Sequence, residues 1–186
     1  MRGMTRYYHG RFFADVRHTS LGVLTLLVVG FWQVPEAFLL VPLVALLGAN
    51  QTAFDASYLF MARRYAAELE NEINGAMRRR VLIGSELEDR YLVPLGATKL
   101  VGVAFGRDFS WFGWMTVLYT LAGLAAFGGG LWLGWGLLDG VGGAAYLATL
   151  GAMTVGSLVV GTWWFVRGEG MTRLEEVIVT RFGQPV

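Results

Sequence analysis

The stretch GANQTAFDASYLFMARRYAAELENEIN, residues 48–74, begins as the end of an apolar segment and finishes as a charged one, with no proline to break it. Small or apolar residues recur in it every three or four positions, which is the spacing of a helix that packs against another helix. The pattern predicts one helix of about 40 residues, which begins near Ala37 and ends at Asn74-Gly75, a pair suited to left-handed backbone geometry. Its predicted packing seam consists of Asp55, Leu59, Ala62, Ala66, Leu69, Ile73 and Ala76.

Composition places much of this helix, and three other segments, in a membrane. Of the 186 residues, 55% are apolar and 16% are charged, against about 25% charged in soluble domains. About 20 apolar residues cross a bilayer, and the sequence contains four such segments, although the first is short. The predicted fold is an all-α integral membrane protein, with four transmembrane helices as two helical hairpins, a long cytoplasmic extension of helix 2 and a small cytoplasmic layer. The segments are residues 19–33, 36–60, 109–138 and 141–166.

The basic residues predict the orientation of these segments. Of the 15 Lys and Arg residues, four precede the first segment, eight lie from Arg63 to Arg107 and three follow the last segment. The connections at Pro35-Glu36 and Asp139-Gly140 contain none. Basic residues near membrane ends stay on the cytoplasmic side, so we expect a plasma (cytoplasmic) membrane protein with both termini cytoplasmic. The predicted parts are a cytoplasmic segment 1–18, hairpin 19–60, cytoplasmic helix and loop 61–108, hairpin 109–166 and cytoplasmic segment 167–186.

Asp55 falls at the cytoplasmic boundary of the hydrocarbon, about 20 residues after Glu36. A carboxylate at mid-bilayer costs roughly 2.5–3.5 kcal/mol, and less near the boundary. The sequence leaves open a proton site, a cation site, or a charge partner for Arg63 or for a neighbouring chain. Because Asp55 lies in the seam, we assign it a structural role.

The last two segments are rich in glycine. Gly130 and Gly134 have the small-xxx-small spacing, and Gly151, Gly156 and Gly161 form a smooth strip. In lipid, small residues let helix backbones approach closely and so gain dispersion contacts. These glycines are predicted to pack the third segment against the fourth, or one copy of the chain against another.

The predicted cytoplasmic parts suggest contact with lipid. Residues 1–18 mix basic and aromatic side chains and suit a helix on an anionic leaflet. Arg78, Arg79 and Arg80 are predicted to contact lipid phosphate. Nucleic acid is not favoured, because no aromatic platform or nucleic-acid-binding motif accompanies these arginines.

Residues 80–105 and 173–182 suit either helix or strand. Ser85 with Glu88, and Thr172 with Glu175, have the spacing of capping boxes and favour helices. The β-branched runs within both stretches would also fit a small sheet.

Motifs for catalysis are missing from the sequence. It contains no phosphate-binding loop, dinucleotide fingerprint, metalloprotease motif or cysteine. We therefore predict no catalytic residue, no cofactor and no metal site. Three functions remain open: a non-enzymatic membrane protein that forms homo-oligomers or binds a membrane partner through its coiled-coil-like helix and glycine-rich spans, an oligomeric ion channel or membrane-permeabilising effector controlled from the cytoplasmic side, and a lipid-modifying membrane enzyme.

Overall fold

The computed structural model describes residues 2–91 and 111–182, and no strand occurs within these two ranges. Six α-helices are present there, with a 3₁₀ turn before α2, another after α4 and a π-helical turn after α5. The α-helices are α1 Arg2–Trp32, α2 Leu40–Ala76, α3 Gly84–Tyr91, α4 Trp111–Gly134, α5 Gly140–Gly161 and α6 Glu169–Phe182; the turns are Pro35–Leu39, Trp135–Leu137 and Thr162–Val166.

Within the described residues, four helical segments are long and apolar enough to cross a membrane. They are Tyr7–Trp32, Pro35–Ala76, Gly113–Leu137 and Gly140–Val166. For these residues, the predictions of an all-helical structure and of four segments able to span a membrane are confirmed.

The long second helix is also confirmed, because α2 runs for 37 residues without a break. Pro42 lies in its first turn, where a missing backbone N–H costs nothing. Its C-terminus differs from the prediction, since Asn74 and Gly75 are still helical. The left-handed residue is instead Arg78, with φ 50°.

α1 has no break at residue 18, so the predicted cytoplasmic segment and the first span form one helix of 31 residues. The candidate span begins at Tyr7, which makes it longer than the 19–33 segment of the sequence. The segment predicted from the sequence begins later because Arg11, Asp15 and Arg17 interrupt the apolar residues before residue 19. The placement of residues 1–18 at the cytoplasmic surface stays a prediction.

α3 and α6 resolve the choice between helix and strand in favour of helix for 84–91 and 173–182; residues 92–105 of the first stretch lie outside the described ranges. Neither predicted capping serine or threonine precedes its helix. Ser85 is inside α3, and its N–H and hydroxyl both donate to Glu70 of α2. Thr172 is inside α6, and its hydroxyl donates to the carbonyl of Gly168.

The chain divides into two compact units, and α2 contributes to both. The first unit contains residues 10–55 and 118–160. Its buried core is formed by Val23 of α1 with Val41 and Ala45 of α2. Further apolar residues pack around this core, namely Leu26, Leu27, Val44, Ala126 and Phe127.

α1 packs in the antiparallel direction against α2 and the 3₁₀ turn before it, because its later residues contact their earlier ones. A Cβ at Gly48 would collide with the side chain of Thr19, and one at Gly30 would lie 2.6 Å from Phe38. A methyl group at residue 48 therefore fits only if the Thr19 side chain or its helix moves.

The second unit contains residues 1–9, 56–117 and 161–186. Trp164 joins two of its elements, since its indole N–H donates to the Ser57 hydroxyl at 3.2 Å. The Arg173 guanidinium of α6 lies 5.3 Å from the ring centre of Trp163 and pairs with Glu169 at 2.8 Å. These contacts attach α6 to the π-helical turn, and the turn to α2.

Candidate functional site

Four polar side chains of α1 and α2 form a cluster within the first unit. The Asp55 carboxylate, 1% exposed, lies 3.4 Å from Nε of Arg11. The Gln51 amide nitrogen reaches both carboxylates, with 3.3 Å to Asp55 and 3.4 Å to Asp15. The same amide nitrogen thus lies beside both carboxyl groups, which are close enough to interact with each other. The cluster therefore links α1 to α2 through a buried charge.

The charges of this cluster do not balance. Two carboxylates, Asp15 and Asp55, face one guanidinium, and the Arg11 side chain is 48% exposed. Buried like charges repel strongly unless a cation or a proton lies between them. One further positive charge would neutralise the cluster.

Sequence reasoning identified Asp55 but not its partners. The sequence offers Arg63 or a neighbouring chain as a charge partner for Asp55; the structure brings Arg11, Asp15 and Gln51 to it. A signal for this arrangement exists, because Arg11 and Asp15 are four residues apart on α1, as are Gln51 and Asp55 on α2. Each pair occupies one helix face. Treating residues 1–18 as a separate segment concealed this match.

The predicted seam is buried along only part of its length. Asp55, Leu59 and Ala62 are at most 2% exposed. Ala66 and Leu69 are half-buried, Ile73 is 40% exposed and Ala76 is exposed. The seam thus has a covered half, from Asp55 to Ala62, and an open half, from Ala66 to Ala76.

The predicted glycine contacts also divide into two groups. A Cβ at Gly130 would meet Pro42 and Val41 at 2.8 Å, and one at Gly134 would meet Leu39 at 2.6 Å. These two glycines therefore lie against the 3₁₀ turn Pro35–Leu39 and the first residues of α2; their packing against α5 stays a prediction. A Cβ at Gly151, Gly156 or Gly161 would meet none of the described residues within 4 Å.

The three consecutive arginines are exposed, but they differ in their contacts. Arg80 lies 3.5 Å from Glu86. Arg78 and Arg79 make no ion pair with any residue of the described ranges. All three follow the end of α2.

Two polar contacts in the first unit join residues that lie far apart in the sequence. Asn50 donates to the Ser157 hydroxyl of α5 at 2.8 Å. The Tyr146 hydroxyl, also on α5, donates to the Leu39 carbonyl at 2.6 Å. Both pairs are separated by 107 residues, so only the folded chain reveals them.

Within residues 2–91 and 111–182, no group of three or more His, Asp or Glu side chains could hold a metal ion. No protein-family model matches the chain, and neither a curated protein nor a solved structure is significantly similar to it. Any functional assignment therefore depends on the chain's own geometry.

Proposed function

We propose that the chain is a non-enzymatic membrane protein that self-assembles, with the open half of the α2 seam as its principal contact. The described structure would then be one subunit of a homo-oligomer. The glycine strip of α5 provides a second face where another helix can approach closely.

The proposal includes a topology. Two helical hairpins cross the membrane, and residues 61–108 and both termini lie in the cytoplasm. Contacts between α1 and α2, such as that of Thr19 with Gly48, support the first hairpin. The confinement of basic residues to alternate connections supports the orientation.

The observation that carries the proposal is the partial covering of the seam. α2 continues for 21 residues beyond Asp55, or about 30 Å. Along this extension Ile73 remains 40% exposed, although it lies at a spacing typical of helix packing. An apolar stripe on a straight helix in water is stabilised when a second helix covers it.

Cysteine cross-linking tests this contact directly, because the natural chain has no cysteine. Copies in one membrane share an orientation, so equivalent residues of paired α2 helices lie at the same height. We expect Ile73→Cys and Leu69→Cys to form disulfide-linked dimers in native membranes. Asn71→Cys is the matched control, since its exposed position is about 180° from the seam on a helical wheel. Equal cross-linking at residues 71 and 73, or a monomeric wild type by mass in nanodiscs, would contradict self-assembly.

The topology needs a separate measurement. In whole cells, membrane-impermeant thiol reagents should label Gln33→Cys and Asp139→Cys, whereas Glu72→Cys should react only after the membrane is opened. External labelling of Glu72→Cys would reverse the orientation.

A cation pathway is the second candidate, because the charge imbalance at Asp15 and Asp55 favours it. Ionisable groups within apolar spans frequently mark ion or proton routes. In proteoliposomes, a cation flux that Asp55→Asn abolishes while the subunit mass is unchanged would support this function. No flux above protein-free vesicles would eliminate it.

A further inference from the structure

The turn that follows α2 has an arginine at the position where turns that end helices usually have glycine. The N–H of Arg79 donates to the Asn74 carbonyl at 3.3 Å, and that of Arg78 donates to the Gly75 carbonyl at 3.1 Å. This is the Schellman pattern, which ends helices with a left-handed residue, usually glycine. Here Arg78 has the left-handed φ of 50°, while Gly75 lies in ordinary helical backbone with open space around it.

Hydrogen bonds from α2 hold this turn in place. The Asn74 side chain accepts from the N–H groups of Val81 and Leu82, at 2.8 and 2.9 Å, and donates to the Leu82 carbonyl. Glu70 binds the first turn of α3 through Ser85. A strained residue persists where its surroundings fix it, and such residues cluster at functional sites.

The side chains presented by the turn are basic and apolar. Arg78 and Arg79 are exposed and have no acidic partner in the described part of the chain. Next to them, Met77 is 49% exposed and Val81 is 44% exposed. A cation near a helix C-terminus is favoured by the helix dipole, but Arg80 already provides one with an unstrained backbone.

The position of the turn argues against lipid as its ligand. α2 is unbroken for about 30 Å between Asp55 and the turn. With Asp55 at the membrane boundary, the arginines are too far from the phosphates of the bilayer that α2 crosses. In this placement, the length of α2 therefore disfavours the contact with lipid phosphate that the sequence predicts for Arg78–Arg80.

We propose that the turn formed by residues 77–81, which we name the α2 turn, is a docking surface for an acidic protein segment with apolar side chains. Arg78 and Arg79 would pair with carboxylates, and Met77 and Val81 would cover the apolar side chains. Charge complementarity identifies the partner, and the hydrogen-bonded frame of Asn74 and Glu70 presents the surface in one conformation. The inference rests on the proposed placement of α2 across the membrane but not on self-assembly.

The test uses the full chain in nanodiscs of neutral lipid and a fluorescent synthetic helix composed of Glu and Leu. A peptide with Gln in place of Glu is the probe control. We expect the acidic peptide to bind, and Arg79→Gln to weaken its binding about three- to fivefold, as for one exposed charge pair. Arg167→Gln changes an exposed arginine elsewhere in the same unit and should leave binding unchanged.

Arg78→Gly separates binding from folding. Glycine removes the left-handed strain, so this variant should have a higher thermal midpoint than the wild type while binding the acidic peptide about three- to fivefold more weakly. Higher stability with unchanged binding would overturn the proposal. So would failure of the acidic peptide to bind, equal binding of the Gln peptide, or stronger binding to anionic vesicles or duplex DNA. The mass of the wild-type particle reports separately on self-assembly.

Discussion

α2 and α5 are both apolar enough to cross a membrane, and both contain glycine, but they differ in how the chain surrounds them. In the most apolar part of the α2 span 33% is buried, against 11% for the α5 span. The single glycine of α2 before Asp55, Gly48, is closed off by Thr19, whereas Gly151, Gly156 and Gly161 of α5 face open space. Apolar composition therefore identifies a span, but it does not reveal whether that span is central or peripheral in the fold.

Among substitutions that test this difference between α2 and α5, Gly48→Leu should reduce the free energy of unfolding most. A side chain at this position has no space unless α1 and α2 move apart, and such overpacking costs about 1–3 kcal/mol. We expect a decrease of about 2 kcal/mol in the free energy of unfolding in mixed detergent micelles. The smaller Gly48→Ala change should be partly rescued by Thr19→Ala. No coupling between these two substitutions would mean that the helices do not meet here.

Arg11→Gln should have the next largest effect, because it leaves two carboxylates in the α1–α2 cluster without their guanidinium. Arg11 is half exposed, so we expect a loss of about 1–2 kcal/mol in the free energy of unfolding. Asp55→Asn leaves Arg11 with Asp15 and should cost less. The reverse ranking would show that Arg11 does not stabilise the cluster.

Ser157→Ala tests the contact between α2 and α5. It removes the hydroxyl that accepts from Asn50, but Asn50 keeps its bond to the Leu46 carbonyl at 2.9 Å. Hydrogen bonds between membrane helices contribute about 0.6 kcal/mol on average, and we expect a destabilisation of that order. Asn50→Ala should not add to the effect of Ser157→Ala beyond the loss of the Leu46 bond.

Gly156→Leu should have the smallest effect on the stability of the subunit, within about 0.5 kcal/mol, because nothing in the described structure lies near the added side chain. The same substitution should weaken self-association if the α5 strip contacts another copy. Particle mass in nanodiscs, measured beside the unfolding free energy, distinguishes the two effects. A large loss of subunit stability would show that the strip packs within the chain.

The helices themselves were the most predictable part of the molecule. Charge-free stretches and the 3-4 spacing of α2 depend on local sequence, so they indicated the spans and the long helix directly. The cluster at Asp55 depends on which residues of α1 lie opposite it, and that register is decided by tertiary contacts such as Thr19 with Gly48. The same limit explains Ser85, whose apparent capping role is replaced by a carboxylate 15 residues earlier on a different helix.

The unbroken course of α2 also has a mechanical consequence. A stiff rod anchored in a bilayer converts a small change in its tilt into a large displacement at its free end. Spans change tilt when the bilayer thickens or thins, and a change of about 10° would move the end of a rod that extends about 30 Å by about 5 Å. In the proposed topology, α2 would therefore act as a lever that transmits a change in bilayer thickness to the α2 turn.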